Sequence, residues 1–64
     1  MSQLREAERT YREARAAAKT RSLFTLKWEF GRVGRMATGS TDACMLARRA
    51  ALRDELISRG ELTP

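Results

Sequence analysis

Apolar side chains recur at Leu4, Ala7, Tyr11, Ala14 and Ala18, with charged residues filling the intervals. Spacings of three and four are the repeat of a helix that buries one narrow stripe. With Ser2 ahead of the run, the pattern predicts a first helix over about residues 3–20. Arg5 with Glu8, Glu8 with Arg12, and Arg9 with Glu13 stand at helical neighbour distances, so ion pairs are expected along its solvated face.

The last third carries an equally clear helix, over about residues 42–59. Ser40, Thr41 and Asp42 supply N-cap chemistry, and Gly60 stands where a helix-terminating glycine belongs. This helix has two apolar stripes. Ala43, Leu46, Ala47, Ala50 and Ile57 make one, mostly of small residues that favour close packing. Met45, Leu52 and Leu56, flanked by Arg49 and Arg59, make the other on nearly the opposite side. Two stripes on one helix of a small chain suggest that one faces the internal core and the other a partner.

Between these helices, Phe24-Thr25-Leu26-Lys27-Trp28-Glu29-Phe30 alternates strictly between apolar and polar residues. Read as a strand, it places Phe24, Leu26, Trp28 and Phe30 on one face and Thr25, Lys27 and Glu29 on the other. Gly31-Arg32 then fits a two-residue hairpin turn with glycine at its first central position. Read as a helix, Leu23, Leu26, Phe30, Val33 and Ala37 form a stripe, while Phe24 and Trp28 go to another side. That stripe is rotated by about a quarter turn from the first helix's, at 100° per residue, which requires a break near Thr20 to Ser22. Gly31, Gly34 and Gly39 each oppose a helix by roughly 1 kcal/mol when interior. The expected fold class is therefore α+β, a single domain over residues 1–64 built as helix, short β-hairpin over about 23–38, and helix. The alternative is an all-α helical hairpin or three-helix bundle. A two-stranded ribbon is marginal in water, so the helices would have to cover its aromatic face.

Composition narrows the chemistry more than it identifies it. A chain of 64 residues forms one domain with a thin stability margin, which makes a partner or a homodimer attractive. One cysteine, Cys44, and no histidine exclude a Cys/His metal cluster, a Ser-His-Asp triad and a Cys-His pair. No cofactor and no catalysis are expected. The charged N-terminus lacks a secretory core and no apolar run approaches the roughly 20 residues of a membrane span, so a cytoplasmic, non-membrane protein is expected. Arginine outnumbers lysine eleven to two and alanine occurs ten times, a usage that suits a GC-rich bacterial or phage gene.

The net charge of +5 is localised. Both ends of the chain balance to zero, and the excess lies in residues 15–35, where Arg15, Lys19, Arg21, Lys27, Arg32 and Arg35 face only Glu29. That segment also holds Phe24, Trp28 and Phe30. Cations interleaved with aromatics are the ingredients of phosphate contact and base stacking. The leading expectation is accordingly a small, basic nucleic-acid-binding protein for DNA or RNA, using those six cations and, if exposed, Trp28. The competing expectation is an adaptor or inhibitor that docks on a protein, including an acidic surface, through Met45, Arg49, Leu52 and Leu56. Gly31-Arg32-Val33-Gly34 matches the GxxG loop of RNA-binding KH domains, but the surrounding chain lacks the other elements of that fold.

The order helix, short hairpin with Gly31-Arg32, and helix capped at Asp42 resembles the small head-to-tail joining proteins of tailed phages. The resemblance implies a phage assembly component. The chain departs from that pattern at Trp28 in the first strand and Gly34 in the second, and no functional residue is transferred.

Overall fold

The computed structural model describes residues 2–39 and 41–63, with side chains described from Leu4 onward. It contains α1 (Ser2–Lys19), α2 (Leu23–Ala37) and α3 (Ala43–Ser58), and no strand among the described residues. α3 is the common partner: it packs extensively against α1 and also against α2, whereas α1 and α2 barely touch. The core is a small set of aliphatic side chains, Ala18 from α1, Leu26 and Val33 from α2, and Leu52 and Leu56 from α3. Leu23, Phe30, Met45 and Leu62 close its edges.

The outer helices agree with the sequence pattern. Asp42 caps α3, its carboxylate accepting from the Cys44 amide at 3.0 Å; Ser40 lies outside the described residues. At the other end Gly60 adopts φ 77°, which lets its amide reach the Ile57 carbonyl while the Glu61 amide reaches that of Leu56. This paired closure satisfies carbonyls that the helix would otherwise leave open, and the left-handed backbone favours glycine there. On α1, Arg9 and Glu13 form the expected ion pair at 3.5 Å, while no bridge joins Glu8 to Arg5 or Arg12. Leu4 is exposed, so the α1 stripe enters the core only towards its C-terminal end.

The central segment is helical, which corrects the α+β expectation in favour of the three-helix alternative. The break falls where stripe rotation required it, at Thr20–Ser22, and Ser22 caps α2 by accepting from the Thr25 amide at 3.3 Å. Leu26, Val33 and Ala37 are buried, and this is the physical reason the helix prevails. Burying an aliphatic side chain contributes about 1.5–3 kcal/mol, more than each interior glycine costs. With no hairpin, the resemblance to phage joining proteins loses the element that carried it. The GxxG segment likewise lies inside α2 and is no loop.

Gly31 and Gly34 provide a direct check on this assignment. Neither has positive φ, and a Cβ added to either meets nothing within 4 Å. Gly31→Ala and Gly34→Ala are each expected to raise stability by about 0.5–1 kcal/mol, read as a rise in the melting midpoint of about 4–8 °C per kcal/mol. A hairpin with Gly31 in its turn would respond to the first substitution with a loss.

Candidate nucleic-acid interface

α2 divides its circumference between core and solvent. At 100° per residue, Phe24, Arg35, Trp28 and Arg32 share roughly 80° of arc on the side away from Leu26 and Val33. Phe24 is 81% exposed, Trp28 56% and Met36 57%, an unusual share of large apolar surface for one short helix. The Arg32 guanidinium lies over the Trp28 ring, 5.3 Å from its centroid. This is cation–π contact on an exposed face. A groove of about 290 Å³ runs beside it, with Trp28, Glu29, Arg32 and Met36 on the α2 wall and Met45 and Arg48 on the α3 wall.

The six cations proposed from sequence do not form one surface. Arg15 is structural: its Nε donates to Glu55 Oε1 at 3.3 Å and its Nη1 to the Tyr11 hydroxyl at 3.0 Å, with Asp54 Oδ2 at 3.9 Å. The Tyr11 hydroxyl in turn donates to Asp54. The hydrogen bond to Tyr11 and the Glu55 carboxylate hold the Arg15 pKa above its already high ordinary value, against the opposing effect of burial. Arg21 is paired with Glu29 across the α1–α2 turn. Lys27 is exposed, its Nζ 3.8 Å from Glu61. Lys19 is exposed at the end of α1, and Arg32 and Arg35 are exposed on α2. Among the described residues, Lys19, Arg32 and Arg35 enter no ion pair, so their charge is available to an outside partner.

The partner surface assigned to α3 is overturned. Leu52 and Leu56 retain 2% and 1% of their exposure and Met45 is half-buried against them, so only Arg49 of that set is exposed. The stripe faces inward because both α1 and α2 pack on it, whereas Leu46 of the other stripe remains exposed. Phe24 and Met36 were missed as surface residues. Their signal was present: residues 24, 28, 32 and 36 follow one another at four-residue spacing, visible once the segment is read as a helix.

Among the described residues, Glu55 is the one buried charged side chain. Arg15 reaches one of its carboxylate oxygens, and Arg59 Nε donates to the other at 3.0 Å. Arg59 also donates through Nη2 to the carbonyls of Ala18 and Lys19, at 3.1 and 3.3 Å, satisfying the C-terminal end of α1 with a positive charge. The Arg59 hydrogen bond leads the causes that push the Glu55 pKa below the usual carboxylate value, with Arg15 assisting and burial opposing. This cluster ties α1 to α3.

A larger cleft of about 430 Å³ lies where α1 and α2 diverge, but Glu13 and Glu29 there offset Arg21 and Arg48. Among the described residues no group of three or more His, Cys, Asp or Glu is arranged to hold a metal, and no helix is long and apolar enough to cross a membrane. Cys44 is a free, half-buried thiol in the first turn of α3. No protein-family model, curated protein or solved structure matches the chain.

Proposed function

We propose that this protein is a small, non-catalytic nucleic-acid-binding module that presents the outer face of α2 to its ligand. One observation carries the reading: exposed aromatics and unpaired cations occupy the same helix face, with Arg32 seated on Trp28. Arg32 and Arg35 contact phosphates, Lys27 and Lys19 extend the positive field, and Trp28 supplies a stacking surface. Arg15 and Arg21 are committed to internal ion pairs and take no part.

Replacing Lys27, Arg32 and Arg35 together by glutamine tests the reading. Binding measured over a salt series is expected to weaken across all sequences, and the slope of log affinity against log salt to fall by about 1.4 for a single strand, from the two phosphate contacts of Arg32 and Arg35. Unchanged affinity and slope would exclude this face.

A second reading has its own support. Phe24, Trp28 and Met36, bordered by arginine, have the composition of a protein-docking anchor, so an adaptor or inhibitor would use this same face in place of the α3 stripe. Its expected outcome is capture of a protein partner that Phe24→Asp abolishes while nucleic-acid affinity stays negligible.

A further inference from the structure

On the basis of that functional reading, we infer that the ligand is a single strand, bound through unstacked bases laid on the outer face of α2. A duplex keeps its base faces stacked against one another and offers exposed aromatics nothing to stack on. A single strand presents those faces, and aromatic platforms flanked by cations bind them with little sequence preference. Phe24 and Trp28 are one helical turn apart, about 6 Å along the axis at 1.5 Å per residue. They therefore form two successive platforms, and the guanidinium of Arg32 over Trp28 adds a planar cation to the second.

Gly31 is the second, independent observation. It is exposed in the interior of α2, where glycine lowers helix stability, yet its backbone has no positive φ and a Cβ there would meet nothing within 4 Å. Nothing inside the chain requires glycine at this position. Its absent side chain leaves the backbone bare beside Trp28 and one turn from both Lys27 and Arg35, a low place on which a flat base can lie between an aromatic wall and two cations.

Charge argues against a second copy as the occupant. Arg32 and Arg35 are the charged residues of this arc, and Lys27 and Glu29, each about 60° beyond one of its edges, are paired with Glu61 and Arg21. A two-fold contact through α2 would set like charges against one another.

The test uses the full chain and labelled oligothymidylate, with a DNA duplex of equal length, at physiological salt. The single strand is expected to bind at least about tenfold tighter than the duplex and to quench the fluorescence of Trp28, the sole tryptophan. Phe24→Ala and Trp28→Ala should each weaken single-strand binding roughly tenfold or more and leave the weak duplex binding nearly unchanged. Gly31→Gln separates binding from folding, since it should raise the melting midpoint while lowering single-strand affinity.

Equal or tighter binding of the duplex would overturn the single-strand inference and leave the nucleic-acid reading standing. Absence of binding to either ligand, even at low salt, would overturn both. Light scattering that showed a dimer, broken by Phe24→Asp, would assign the face to a second copy; an α2-dependent protein partner with no nucleic-acid affinity would assign it to docking.

Discussion

Leu52→Asp is expected to leave no folded monomer. Leu52 is enclosed by α1 and α2 and contributes to the main cluster with Leu26 and Leu56. Truncating such a leucine to alanine typically costs about 2–5 kcal/mol. A domain of 64 residues has in total roughly 3–10 kcal/mol at 0.05–0.15 kcal/mol per residue. Aspartate adds to the lost packing the cost of an unpaired carboxyl in the core. Circular dichroism should show loss of the helical signal and of the cooperative thermal transition. The measurement also separates two roles for α3: a helical, cooperatively melting Leu52→Asp variant would mean that the stripe of Met45, Leu52 and Leu56 faces outward, as a docking surface requires.

The second large effect concerns Glu55 and its two arginines. Glu55→Ala removes the buried carboxylate and leaves the guanidiniums of Arg15 and Arg59 close together without their shared acceptor. Removing one partner of a buried charged network is among the more damaging single changes, and a fall in melting midpoint of at least about 10 °C is expected. The same group produces a pH dependence whose sign follows from its depressed pKa. The unfolded chain takes up the proton first, near the ordinary carboxylate value of 4.5, while the folded chain resists protonation. The stabilisation is therefore fully present above that pH and is lost as pH falls through the lower folded value. A thermal series from neutral pH to below 4 should show a steep loss at the acid end. In Glu55→Gln the transition should start lower at neutral pH and depend less on acid, because the titrating group is gone. An identical acid slope in both proteins would place the effect on other carboxylates.

Neither prediction could have been written from the periodicity of α3. Its two stripes are both apolar enough to be buried, and an isolated helix has no preference between them. The choice was made by α1 and α2 together. Ala18, Leu26 and Val33 converge on the side of Leu52 and Leu56, and Arg59 fixes the rotation of α3 by reaching the end of α1. A long-range hydrogen bond of this kind, spanning forty-one residues, has no local signature.

Other features are local and were legible. The boundaries of α1 and α3, the capping aspartate, the terminating glycine and the chain break at Thr20–Ser22 depend on residues a turn apart. The localisation of charge in residues 15–35 is likewise visible without coordinates. Its consequence was not, because the strip is divided in the folded chain. Arg15 and Arg21 turn to carboxylates of the same molecule, whereas Arg32 and Arg35 remain outward. Which cation meets which acid depends on elements that lie far apart in sequence.

The central segment shows the division most clearly. Phe24 to Phe30 satisfies a period of two and, with Leu23 and Val33 included, a period of 3.6. A short apolar run carries too little information to separate them. By itself the sequence determined two flanking helices, the caps of α3, the break between the first and second helices, and a basic centre without histidine chemistry. Only the tertiary structure decided that the centre is helical, because a neighbouring helix was there to cover Leu26, Val33 and Ala37. Burial on α3 outweighs the local cost of two glycines, and the same rotation that hides those aliphatics turns Phe24, Trp28 and Arg32 towards solvent.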